Sequence, residues 1–99
     1  MTEEPFVFSA ELWEWSGEGA WCFVTVPDDI GEEIRLLSGP PRGFGSVRVE
    51  VTVGDSTWRT SVFPDKTRGY LLPLKKAVRR AEGLEVGDPV PVELVVIDG

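Results

Sequence analysis

A chain of 99 residues with 17 acidic and 10 basic side chains, no histidine and one cysteine carries a formal charge of -7. One cysteine excludes an internal disulfide framework and a cysteine-built zinc site, and the lack of histidine excludes a Ser-His-Asp triad, a Cys-His dyad and a histidine-ligated metal. The length suits one domain with one core, no apolar run approaches the ~20 residues of a membrane span, and the acidic start Met-Thr-Glu-Glu-Pro lacks the charge of a signal peptide. The expectation is a small cytoplasmic β-rich domain without a cofactor. Charge is segregated along it: residues 1–34 hold nine acids and no base, whereas residues 35–80 hold all ten bases and three acids.

Phe6, Phe8, Ala10 and Leu12 alternate with Val7, Ser9, Glu11 and Trp13, a period of two that predicts a strand over residues 6–15. Ser16-Gly17-Glu18-Gly19-Ala20 has the chemistry of a turn. A second strand follows over 21–26, apolar at nearly every position and so expected to be buried on both faces, with Pro27 ending it. Asp29 with Glu32 has capping-box spacing, and Ile30, Ile34 and Leu37 fall on one helical face, which predicts a short helix over 29–38. Gly39, Pro40 and Pro41 stop it, and residues 40–45 form a loop.

Val47, Val49, Val51 and Val53 make the clearest half-buried strand, turned by Gly54-Asp55-Ser56 into a partner over 57–63 that ends at Pro64. Residues 65–69 read as a loop and 70–72 as a brief extended piece. Pro73 suits the first position of a helix over 73–82, with Leu74, Ala77, Val78 and Ala81 as its apolar stripe and Gly83 as its stop. The last strand, 89–97, turns Val90, Val92, Leu94 and Val96 inward. Pro89 and Pro91 lack their N–H groups on one side of it, so its start is expected to be unpaired on that side, an edge that favours a monomer.

Trp-x-x-x-x-x-Pro-Asp occurs at 21–28 and again at 58–65, and Gly45 to Val51 matches Gly87 to Leu94 with one insertion. The chain therefore reads as ββα twice, sharing the Val47–Val53 strand. Such halves bury their apolar faces against each other. The predicted architecture is mainly β, a small barrel of about five main strands with a pseudo-twofold and two short helices at its ends. An open α+β sheet with both helices on one face is the competing arrangement.

Phe8-Ser9-Ala10, Trp21 to Pro27, Val49-x-Val51-x-Val53-Gly54-x-x-x-Trp58-x-x-Ser61, and the run from Gly69-Tyr70 through Val78-Arg79 and Gly87-Asp88 to Val92 together resemble the prokaryotic family called domain of unknown function 1905. The resemblance spans residues 6–97. It implies a double-split β-barrel capped by helices, distantly similar in shape to the dimeric barrels of AbrB-like transcription regulators. It implies no catalytic residues, because the family has no assigned activity. Pro91 inside the final strand departs from its pattern.

Lys75, Lys76, Arg79 and Arg80 stand on one side of the predicted second helix, either as a phosphate-contacting face or as a solvated one whose charge suits a helix C-terminus. Trp58 with Arg48 and Arg59 reads as a pocket in which an arginine stacks on an indole, or else Trp58 simply fills the barrel. Trp13 and Trp15 fall on the outward face, as a contact surface or under a covering loop or helix. Cys22 has no neighbouring base and reads as an inert core thiol. Asp28, Asp29 and Asp65 follow strand-ending prolines, where cap and turn roles explain them better than acid–base chemistry. The leading expectation is a non-enzymatic module binding a small molecule or a protein. The alternative is a nucleic-acid-binding module that uses the basic second helix.

Overall fold

Strict alternation of valine with polar residues dictates the centre of the molecule, since successive side chains of a strand take opposite faces. In the strand β4 (Val47–Val53) all four valines point inward and each is 4% exposed or less. The computed structural model describes residues 5–15, 21–38 and 45–98; the expected turn at 16–20 and most of the expected 40–45 loop lie outside them. The remaining elements are β1 (Phe6–Glu11), β2 (Trp13–Glu14), β3 (Cys22–Thr25), α1 (Asp28–Ser38), β5 (Ser56–Asp65), β6 (Gly69–Pro73), α2 (Lys76–Glu82) and β7 (Pro89–Asp98).

All strand pairings are antiparallel, in the order β1-β7-β4-β5-β6-β3-β2. The first and last members of that order are consecutive in the chain, separated only by Leu12. One run of chain thus pairs with β7 through β1 and with β3 through β2, and the sheet curls into a nearly closed barrel. The bend at Leu12 is fixed by its neighbours: its N–H donates to the Asp88 carbonyl at 2.9 Å and its carbonyl accepts from Gly87 at 2.8 Å. Long β5 is split in the same way, pairing over residues 56–62 with β4 and over 63–65 with β6. The double-split barrel with two helices is therefore the fold. Its strands are more numerous than the expected five, because 6–15 is broken at Leu12 and 70–72 belongs to a full strand. Asp65 Oδ2 accepts the Thr67 and Arg68 N–H groups at 3.0 and 2.9 Å, and Gly69 at φ 84° turns the chain back onto β5 to make that strand.

The pairing scheme is symmetric, but the repeat differs from the one the tryptophan motif suggests. β1–β2 and β5 hold equivalent split positions. Each forms a hairpin with the next strand, β3 or β6, and each pairs laterally with a strand that follows a helix: β7 beside β1, β4 beside β5. The two units are ββαβ, residues 6–53 and 56–98, with β4 equivalent to β7 and not shared. The Gly45–Val51 match to Gly87–Leu94 obeys this symmetry. The Trp-x-x-x-x-x-Pro-Asp match does not, since it lays β3 on β5.

Both helices shift from their expected places. α1 starts at Asp28, one residue early, with the Pro27 carbonyl accepting from Gly31 at 2.8 Å, so Asp29 lies within the first turn and not ahead of it. Its buried residues are Gly31 and Ile34, while Leu37 is 57% exposed. α1 touches β6 and β7, which hold opposite places in the ring, so it lies across one mouth of the barrel. α2 begins at Lys76, because Pro73 is spent as the last residue of β6, opposite Phe23. Of its expected stripe only Leu74 and Val78 are buried; Ala77 and Ala81 are exposed. Gly83 closes α2 in the left-handed conformation at φ 65°, with Leu84 N–H reaching the Arg79 carbonyl at 2.9 Å. At its C-terminal end Glu82 accepts from Ser56 Oγ at 2.7 Å and from Asp55 N–H at 3.3 Å, which straps α2 to the β4–β5 turn. The start of β7 behaves as its prolines require: residues 89–92 pair with β1 alone, and the β4 ladder stops at Thr52 opposite Glu93.

Candidate ligand-binding site

The barrel interior is filled by Val24, Val49, Val51, Val62, Leu72, Val90, Val92 and Leu94, and buried Cys22 belongs to the same core. The outer surface over β2, β3, β6 and the end of β5 is chemically different. Trp13 stands opposite Phe23, and Phe23 opposite Pro73, which makes one row across three strands. Thr25, Leu71 and Phe63 make the next. Trp15 and Trp21 extend the face beyond the ladder, joined by a backbone hydrogen bond of 2.9 Å.

The rings form one connected cluster. Trp13 lies 5.3 Å from Phe23 and 5.9 Å from Trp15 between centroids, and Trp21 is stacked near-parallel on Phe23 at 6.5 Å. Trp13 Nε1 donates to Thr25 Oγ1 at 3.0 Å, so its one polar atom is satisfied. The Arg68 guanidinium lies over Trp13 at 4.8 Å and over Trp15 at 5.5 Å. This side chain, delivered by the 66–68 turn, lies across the outward tryptophans. Asp65 holds that turn, and the N–H groups of Arg68 and then Thr67 keep its carboxyl below the ordinary value of 3.8. The turn role expected of Asp65 is the one it plays, and Asp28 and Asp29 sit in the first turn of α1.

Burial on both faces, expected of residues 21–26, is found on one face only. Cys22, Val24 and Val26 are 3% exposed or less, yet Trp21 is 60% exposed. Thr25 on the outer row was the signal available in the sequence, a polar residue in register with Trp21 and Phe23. Trp21, Phe23, Phe63 and Arg68 are the residues that the sequence reading missed.

Two clefts open on this face. The first, about 450 Å³, lies between β5 and the start of α2 and is lined by Trp21, Trp58, Phe63 and the cations Arg59, Lys75, Lys76 and Arg79, with no carboxylate among the described residues. The second, about 440 Å³, is lined by Trp15, Trp21, Phe23, Phe63, Asp65, Leu71 and Pro73. They share Trp21, Phe63 and Pro73 as a common wall. Five of the seven candidate residues thus border one cleft: Trp58, Arg59, Lys75, Lys76 and Arg79. Arg80 is exposed on α2 outside its lining, and Arg48 lies outward on β4 opposite Ser61. Trp58 stands in the inward row opposite Val51 and packs partly buried on the core, so Arg48 does not stack on it. The arginine that stacks on indoles is Arg68.

The cations differ in freedom. Arg79 Nε donates to the Leu74 carbonyl at 3.0 Å, which holds its stem along the cleft floor, and Arg59 approaches Glu50 at 3.6 Å. Lys75 occupies the cap position of α2 with extended backbone, φ -69° and ψ 158°, and both lysines are exposed. Neither lysine is in an ion pair among the described residues.

The model of the family described as Domain of unknown function (DUF1905) matches residues 8–94. The chain belongs to this family. No curated protein matches it. In this DUF1905 chain the matched span contains both clefts entirely, together with Arg68 and the Asp65 turn. Among the described residues no helix is long and apolar enough to cross a membrane.

Proposed function

We propose that this DUF1905 domain is a non-enzymatic binding module and that its ligand is a small organic anion held in the cleft between β5 and α2. The observation that carries this reading is the convergence of Arg59, Lys75, Lys76 and Arg79 on one concave lining with no carboxylate among the described residues, in a protein of charge -7. Arg59 stands beside Glu50 at 3.6 Å, as Arg35 does beside Glu32 at 2.7 Å and Arg68 beside Asp65 at 3.9 Å, so the two lysines are the cations of this lining outside any ion pair or backbone contact given above. Lys75 and Lys76, which are in no ion pair among the described residues, keep their charge for a ligand. The volume lies within the roughly 300–1,000 Å³ of small-molecule pockets. The net charge favours a small ligand over a long polyanion, which the whole protein repels at a distance. This weighs against duplex nucleic acid on the basic α2, as does the position of Arg80 outside the cleft.

Titration of ¹⁵N-labelled protein with inorganic pyrophosphate tests the reading. Shifts confined to Arg59, Lys75, Lys76, Arg79 and their neighbours, lost in a Lys75→Ala/Lys76→Ala double variant, are the expected result. Shifts of equal size at Arg35, Arg48 and Lys66, or none at all, overturn it.

A further inference from the structure

The two clefts differ in chemistry and share a wall, and a ligand spanning both must change character along its length. The cleft beside α2 offers cations. The cleft beside β2 and β3 offers flat rings: Trp21 lies stacked near-parallel on Phe23, with an interplanar angle of 13°, and Trp21 and Phe63 face both recesses. A barrel gains nothing from indoles on its outside, since its core is already closed by valine and leucine. Large exposed aromatic area on a soluble domain marks a contact surface.

We infer that the two clefts form one site for a planar heteroaromatic ring bearing a phosphate, that is, a nucleotide, either free or as part of a strand. This rests on the anion-binding reading above and extends it. The phosphate lies against Lys75, Lys76 and Arg59; the ring lies on the Trp21–Phe63 wall, where a base stacks on an aromatic side chain. Asp65 sets the polarity of the pair. Its Oδ2 is occupied by backbone N–H groups, and of these two clefts the carboxylate lines the aromatic one, where it accepts from a ring N–H or amine and repels a second anion. A purely anionic ligand fits one cleft, and a purely apolar one fits the other. A nucleotide fits both.

Isothermal titration at low salt with adenosine 5′-monophosphate, ribose 5-phosphate and adenosine tests this. The monophosphate is expected to bind roughly tenfold or more tighter than either fragment. Trp21→Ala should reduce it to the level of ribose 5-phosphate, and Lys75→Ala/Lys76→Ala to the level of adenosine; both positions are exposed, and urea melts check that the variants stay folded. A hexamer of deoxyadenylate separates the two sources: affinity per strand no higher than for the monophosphate assigns a free nucleotide, and a gain of more than tenfold with a steep salt slope assigns a strand. Equal binding of ribose 5-phosphate and the monophosphate overturns the nucleotide inference while leaving the anion cleft standing. No binding by any phosphate compound overturns both.

Discussion

Two outer faces of the same barrel have been built to different rules. Over β1, β7 and β4 the outward residues are Ser9, Glu11, Arg48, Glu50, Thr52 and Glu93, with Val7, Val95, Ile97, Pro89 and Pro91 as the apolar ones and no aromatic ring. They interact across strands in the ordinary way, Thr52 with Thr57 at 3.0 Å and Glu50 with Arg59 at 3.6 Å. Over β2, β3, β6 and the end of β5 the outer face carries three of the four tryptophans and two phenylalanines, crossed by Arg68. Both faces rest on the same interior of valine and leucine. Folding therefore explains the inward rows of both and the outward row of only the first. The aromatic row must answer to something outside the barrel.

The sharpest way to break this comparison is to truncate one residue on each side of the wall. Leu94 is fully buried, opposite Val51 on one flank and Phe6 on the other. Leu94→Ala removes its transfer free energy and leaves a cavity, and urea unfolding should show a loss of roughly 2–5 kcal/mol. Trp21→Ala, on the exposed face, should change stability by less than about 1 kcal/mol. A loss from Trp21→Ala that matches Leu94→Ala would make the aromatic face part of the core, and the argument for a binding surface would fail with it.

Next in size is the strap that sets α2 beside the cleft. Gly54 sits at φ 59°, and a Cβ there would fall 2.0 Å from Glu82 Oε1. Glu82 can swing away, but only by giving up Ser56 Oγ and the Asp55 N–H. Gly87, at φ 97°, has open space around its own Cβ position. Both alanine variants incur the backbone strain of a positive φ, about 1–2 kcal/mol. Gly54→Ala should exceed Gly87→Ala by roughly 1 kcal/mol, the value of the lost hydrogen bonds, with thermal melts as the readout. It should also weaken pyrophosphate binding, because Lys75 and Lys76 move with the helix; Gly87→Ala should not.

These contrasts show which features were legible in the sequence. Inward rows were, because Val47–Val53 and 90–96 alternate without interruption and a core needs only that pattern. The two glycine-bounded helices were placed to within three residues of their starts. The lateral order of the strands was not: equivalent hairpins carry different sequences, and the Trp-x-x-x-x-x-Pro-Asp match joined β3 to β5, whose places in the ring differ. The cations of α2 were found because i, i+1, i+4 and i+5 spacing on a helix is local. The aromatic half of the site was hidden because Trp21, Phe23 and Phe63 look like core residues until β6 is inserted beside them, and because Arg68 reaches Trp13 from a turn more than fifty residues away.

Arg68 and Asp65 supply the smallest and most specific effects. An exposed guanidinium over an indole contributes about 0.5–1 kcal/mol, so Arg68→Ala should hardly move the melting curve while exposing Trp13 and Trp15 and red-shifting tryptophan emission. Acid should reach the same contact by another route. The Asp65 carboxyl is held below 3.8 by the Arg68 and Thr67 N–H groups, so the folded state keeps this proton off where the unfolded chain takes it up. A lowered pKa means that the group's stabilisation is complete above 3.8 and is lost as pH falls through the folded value. The indole N–H resonances of Trp13 and Trp15 should follow that step, since protonation loosens the turn that carries Arg68. Asp65→Asn keeps an oxygen to accept both N–H groups but cannot ionise. The resonances should then stay flat through the same pH range, and an Asp55→Asn control should retain the step; a step that survives in Asp65→Asn would assign it to another carboxylate and detach Arg68 from the Asp65 turn.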